Sequence, residues 1–233
     1  MVWRCLNTKD NLVTPLTIFG AAASPFVRTV LLACEAKGVN YTLENVNFRS
    51  SEYRSLHPFN RIPAMRHADV TLYETLAITT YIDEMFEGPA LQPKSTLGRA
   101  KMLQSISSYS DYVIGTIGHV IIRERIEREV IKGEPPDEAK INKAIPDVER
   151  IVSCLNEAAA RTGPLAGEAL TLADLFLGPI ISHFAVTPEG HKCMKTAPSL
   201  AKWLEWMRQN VKNYDKVNFE LSPKTAKALA LNT

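Results

Sequence analysis

The sequence predicts two domains of different class, an α/β unit over residues 16–92 and an all-α domain over 95–233. Three observations predict this. Short β-rich runs alternate with helical patterns as far as Gln92. A turn-rich stretch, "GPALQPKS", then interrupts the pattern, and beyond it strand signals vanish while apolar residues recur at helical spacing over long segments. A chain of 233 residues is long enough for two such cores.

Residues 1–15, "MVWRCLNTKDNLVTP", lack the apolar run and small-residue cleavage site of a secretory signal, because Lys9 and Asp10 fall where that run belongs. They read as a loosely held extension. "LTIF" is a buried strand, and "PFVRTVLLACEAK" is a helix stopped by Gly38, a residue suited to a C-terminal cap. "YTLENVNF" reads as a second strand and "SSEYRSLHPFNRIP" as a short helix and loop. "AMRHADVTLY" is two brief strands about the His67-Ala68-Asp69 turn, and "ETLAITTYIDEMF" is a helix ending at Gly88-Pro89. The order is β-α-β-α-β-β-α. In the second domain helices are expected over about 95–131, 137–161, 171–186 and 198–213, with "KGEPPDE" as a break. Thr171-Leu172-Ala173-Asp174 is a capping box with Asp in place of the commoner Glu, and Leu170 with Leu175 suits a hydrophobic staple.

Composition narrows the function classes. With 45% hydrophobic and 22% charged residues, and no apolar run near the roughly 18 residues of a membrane span, the sequence predicts a soluble protein without a membrane partner. The formal charge of +2 is spread over both halves, which argues against nucleic acid or anionic lipid as partner. "RERIERE" mixes signs at helical spacing, as a solvated face does. Cysteines at 5, 34, 154 and 193 form neither a CxxC nor a metal-ligand cluster, and the five histidines are scattered, so reduced cytosolic thiols and no metal are expected.

Ser24 before Pro25 combines an N-cap with the first helical position, and capping alone accounts for it. The same geometry also suits chemistry. A helix N-terminus offers free N–H groups and partial positive charge to an anion, and a hydroxyl there adds one more donor.

"FGAAASPFVRTVLL", "HPFNRIPAM" and "LYETLAITTYIDE", followed by "LTLADLFL", resemble the cytosolic glutathione transferases, in particular serine-type classes such as phi and tau or related bacterial and fungal ones. The resemblance spans residues 16–213. It implies a thioredoxin-like glutathione-binding domain, then a helical bundle with a hydrophobic-substrate site. It further implies glutathione as co-substrate with no tightly bound cofactor, a small hydrophobic electrophile as second substrate, a cytoplasmic homodimer and a role in detoxification.

Residue by residue, the resemblance makes Ser24 the catalytic hydroxyl that addresses the glutathione sulfur. Ile62-Pro63 matches the non-polar residue and cis-proline whose backbone pairs with the tripeptide. Arg61 approaches the glycine carboxylate, while Glu74 and Thr75 receive the γ-glutamyl end, although Ser is usual where Thr75 stands. His57 and Asn60 depart from the commoner "NPFG" wording. Phe59 corresponds to an aromatic that inserts between helices of a partner subunit, with burial in its own subunit as the rival. Phe26, Tyr109, Tyr112 and Val113 are candidates for the hydrophobic substrate, with core packing as the rival for the apolar members. Gly115 and Gly118 serve either close helix packing or open space for a ligand.

A thiol brought from about 8.5 to about 6.5 is about 75% ionised at pH 7 instead of about 3%. Its lower basicity costs roughly 6- to 10-fold in nucleophilicity. Most acceleration must therefore come from holding sulfur and electrophile together. Serine cannot form the mixed disulfides of a cysteine at this place, which favours conjugation or hydroperoxide reduction over disulfide exchange. Two other readings share the fold: a glutathione-dependent lyase or isomerase, and a non-catalytic ligand-binding or assembly module.

Overall fold

Four short strands and three helices make the first unit in a computed structural model of the chain, which describes residues 15–220. The extension expected over residues 1–15 thus lies, apart from Pro15, outside the described residues. The chain divides between Pro89 and Ala90 into two compact units.

In the first unit the elements are β1 (Leu16–Phe19), α1 (Pro25–Lys37), β2 (Tyr41–Glu44), α2 (Ser51–Leu56), β3 (Ala64–His67), β4 (Val70–Tyr73) and α3 (Thr75–Met85). The sheet order is β2-β1-β3-β4. β1 runs parallel to β2 and antiparallel to β3, and β4 closes the edge as a hairpin partner of β3. The period of two fixes the faces: Leu16 and Ile18 are buried, whereas Phe19 faces the other way and takes the Arg66 guanidinium 5.5 Å above its ring. β2 is shorter than the eight residues expected, because polar Asn45 and Asn47 follow Glu44 and the ladder stops at the Phe19–Glu44 pair.

Gly38 ends α1 as expected, at φ 70°, its N–H bonded to the carbonyls of Cys34 and Glu35. Next to this cap, buried Lys37 donates from Nζ to Asp83 Oδ1 at 3.2 Å and to the backbone oxygens of Asp83, Gly88 and Pro89 at 3.0, 3.4 and 3.1 Å. An ammonium this deep is tolerated because all its donors are met.

The second unit contains α4 (Thr96–Ser108), continued as wider π-type turns over Tyr109–Ile131, then α5 (Glu138–Thr162), α6 (Leu172–Ala185), α7 (Pro188–Thr196), α8 (Pro198–Asn210) and a π-type turn over Lys216–Glu220. α6 is central because every residue from Leu172 to Phe184 is buried, and a helix apolar on all sides must be surrounded. α4 with its continuation, α7, α8 and the Lys216–Glu220 turn pack against it. The capping box forms: Asp174, fully buried, accepts from the Thr171 N–H at 2.9 Å and the Thr171 hydroxyl at 2.8 Å. It also accepts from Leu165 N–H at 2.8 Å and Trp203 Nε1 at 2.9 Å, so one carboxylate ties together a loop, α6 and α8.

α7 was not expected from the sequence, since its polar surface gives no long apolar repeat. Its start is nevertheless marked, with Thr187 accepting from Gly190 N–H and Pro188 at the first helical position. The two glycines divide their roles. A Cβ at Gly118 meets Ile180 of α6 at 3.5 Å, whereas one at Gly115 meets nothing within 4 Å. Among the described residues no helix is long and apolar enough to cross a membrane, and no group of three or more His, Cys, Asp or Glu could hold a metal.

Candidate active site

Strand register alone gathers the predicted site residues of the first unit. Phe19 pairs with Ala64, and Ala64 pairs with Tyr73. The end of β1, the segment entering β3 and the end of β4 therefore meet at one edge of the sheet. From that edge run the loop to Ser24, the turn Arg61-Ile62-Pro63, and Glu74 with Thr75.

Ser24 caps α1, its Oγ accepting from Val27 N–H at 3.4 Å. Its own N–H donates to Ala21 O at 2.9 Å, and its carbonyl accepts from Arg28 N–H at 3.0 Å. Among the described residues nothing accepts the Ser24 hydroxyl proton, so that proton is the one polar group of the residue free to serve an incoming anion. Phe26 follows within the first turn and is half-buried. Cys34 on the same helix is no rival nucleophile, because it is fully buried and desolvation pushes its thiol far up.

The Ile62-Pro63 peptide is cis. Ile62 lies outside the β3 ladder, and no described residue bonds its backbone N–H or C=O, which leaves both for an extended peptide. Tyr53 of α2 fixes the preceding residue by donating its hydroxyl to Arg61 O at 2.5 Å; burial holds that hydroxyl protonated, pushed up to about 12. The Arg61 side chain is exposed and makes no ion pair with a described residue. Asn60 sits at φ 52°, the left-handed region that glycine enters freely and that Asn tolerates among L-residues.

His57 contributes in a way sequence reasoning missed. It is 2% exposed, with its ring 4.9 Å from Tyr73 and 6.3 Å from Phe59. Burial lowers its pKa, which the negative charge of Glu74 opposes in part, so the ring is neutral at pH 7. Phe59 itself is 69% exposed, which removes burial in its own subunit as the account of this residue.

Glu74 stands between β4 and α3 at φ 70° and ψ 123°, and its side chain caps nothing. It is exposed, like Arg61, and makes no ion pair with a described residue. The amides of Thr75, Leu76 and Ala77 precede the first helical bond, Ile78 N–H to Glu74 O, so the α3 N-terminus is open to an anion. A non-glycine residue held in this backbone region costs about 1–3 kcal/mol. We therefore expect Glu74→Gly to be more stable than Glu74→Ala by about 1 kcal/mol after the entropy cost of glycine. In calorimetry its Tm should lie about 2–4 °C higher; equal Tm values contradict the strain.

In the helical unit Tyr109 is fully buried, its ring edge-on to Phe176 at 5.8 Å, and Val113 is buried as well. Burial of both fits the core-packing alternative for these two positions. Tyr112 is 62% exposed and stays available.

Residues 18–90 match the N-terminal domain of glutathione S-transferases and residues 126–205 match their C-terminal domain. A probable glutathione S-transferase of Oryza sativa subsp. japonica is 26% identical over 200 residues, covering 83% of this chain and 91% of its own length. A stringent starvation protein A homolog of Haemophilus ducreyi is 23% identical over 178 residues, covering 76% and 78%. Glutathione S-transferase I, solved with lactoylglutathione, superposes with a TM-score of 0.80 at 20% identity, covering 89% of this chain and all of that one.

Proposed function

The chain belongs to the glutathione S-transferase family, and from that premise we propose that it is a working transferase whose sulfur site is the sheet edge carrying Ser24. One observation carries the reading. Gathered at a single edge, without partners among the described residues, are the proton of a hydroxyl, a cation at Arg61, an anion at Glu74 and a helix N-terminus. Glutathione presents the complement: a thiolate, two carboxylates and one ammonium. Arg61 takes the glycine carboxylate, the Ile62 backbone pairs with the cysteinyl part, the amides at Thr75 take the γ-glutamyl carboxylate, and Glu74 takes its ammonium.

Ser24 donates to the sulfur and keeps it ionised and aimed. The thiolate attacks a small hydrophobic electrophile beside Phe26, forming the S–C bond as chloride or another leaving group departs with its electron pair. With an organic hydroperoxide the sulfur attacks the outer oxygen, the alkoxide leaves and takes a proton, and a second glutathione converts the sulfenic acid to the disulfide and water. A role in detoxification and a cytoplasmic location are part of the same proposal.

Retention on immobilised glutathione, followed by turnover of a chloronitrobenzene or cumene hydroperoxide, tests the proposal. Retention without turnover of these or of isomerase substrates supports the binding-module reading. Absence of retention overturns the site. Glu74→Ala and Glu74→Gly should both weaken glutathione binding about 10- to 100-fold, the effect of one lost charge-assisted hydrogen bond.

Phe59 supports a homodimer, because a large ring held proud on His57 and Tyr73 is shaped to enter a second copy. A two-fold axis uses the ring twice. At about 2 kcal/mol or more for each anchor, Phe59→Ala should weaken dimerisation about 10³-fold in sedimentation. A variant still fully dimeric at nanomolar concentration excludes this role.

A further inference from the structure

We propose that Arg28 is a positioning residue for the sulfur site, fixing the Ser24 main chain so that its hydroxyl points at the bound thiolate; this rests on the transferase reading above. The loop that delivers Ser24 is Ala21-Ala22-Ala23, and none of its side chains is longer than a methyl group. One backbone turn bond, Ser24 N–H to Ala21 O at 2.9 Å, closes the loop, and no side chain within it can lock its path further. Arg28, one turn into α1 and 2% exposed, does so from behind. Its Nη2 donates to Ala23 O at 2.6 Å and its Nε to Ser24 O at 3.5 Å, while its N–H closes the first helical bond to that same Ser24 oxygen. The two carbonyls flank the Ser24 residue, so holding both fixes its backbone at φ −73° and ψ 127° and thereby the direction of Cβ and Oγ.

The fork of the guanidinium matters here. Two acceptors on successive residues need two donors at a set angle, which arginine has and the single ammonium of lysine lacks. The guanidinium also sets a permanent positive charge behind the loop, on the side away from solvent. Its neighbour Thr29 completes the brace by donating its hydroxyl to Pro25 O at 3.0 Å. Displacing Oγ by even a fraction of an ångström changes the aim of the sulfur, and misplacement by about 1 Å costs on the order of 100-fold in rate.

The test compares Arg28→Met, which keeps the length and removes fork and charge, with Arg28→Lys, which keeps the charge. Circular dichroism defines temperatures at which each variant is folded. With a chloronitrobenzene as electrophile, Arg28→Met should lose roughly 30- to 100-fold in kcat while KM for glutathione changes less than about threefold, because Arg61, Glu74 and the α3 amides are untouched. Arg28→Lys should fall between, about tenfold down in kcat. A purely structural role predicts unchanged kcat per glutathione-binding site, and that result overturns the proposal. If Arg28→Met does not fold, Arg28→Lys alone decides, with wild-type kcat as the overturning result. Should the wild type neither bind nor turn over glutathione, the transferase reading falls separately. Arg28 is then judged by amide exchange at Ser24, whose N–H is bonded to Ala21 O and must exchange at least tenfold faster in Arg28→Lys; unchanged exchange overturns the positioning claim.

Discussion

Ser24→Ala is expected to lower kcat for conjugation roughly 10- to 100-fold at pH 6.5. A hydrogen bond to a charged group contributes about 1.5–3 kcal/mol, and here it both stabilises and aims the sulfur. The deficit depends on pH with a definite sign. At pH 6.5 a thiol of ordinary pKa, about 8.5, is ionised to only about 1%, so removing the donor costs most there. Above about pH 9 the thiol ionises unaided, and the deficit shrinks to the part due to aim. Steady-state kcat at saturating glutathione between pH 6 and 9 checks this, and unchanged turnover at pH 6.5 excludes a catalytic Ser24. The same substitution removes the cap on Val27 N–H, at about 1 kcal/mol of stability. Loss of stability without loss of turnover identifies capping as the whole role.

Asp174→Ala should be the most damaging single change to folding. Its carboxylate, 0% exposed, receives the N–H groups of Leu165 and Thr171, the Thr171 hydroxyl and the Trp203 indole. Truncation leaves those donors buried without acceptors, each costing about 1–3 kcal/mol where water does not enter. A net loss of about 3–5 kcal/mol corresponds to a fall of roughly 2 M in urea midpoint. Asp174→Asn should lose a similar amount, because its NH2 must face a donor. A midpoint within about 0.5 M of wild type contradicts a central role for this carboxylate.

These two residues show what was legible in the sequence. Asp174 was marked by its spacing from Thr171, a local signal that tertiary structure reproduces. Ser24 was marked as a cap by Pro25, and the cap forms, yet its uncommitted proton became visible only with its neighbours in place. Arg28 and His57 carried no such mark. A buried arginine and a surface arginine look alike in sequence, and what separates them is where the preceding turn sends its carbonyls. Tyr109 and Tyr112 lie three residues apart on one helical path, and its phase puts the first in the core and the second outside. No local pattern fixes that phase when apolar residues occur on several sides.

The Lys37 cage bears on how such chains can be recombined. All four of its acceptors come from Asp83, Gly88 and Pro89, hence from the same side of the Pro89–Ala90 boundary. A crossover placed after Pro89 transplants the lysine together with everything it binds. One placed before Gly88 hands a sealed ammonium two carbonyls from foreign backbone, so the workable seam for hybrid proteins lies beyond the proline.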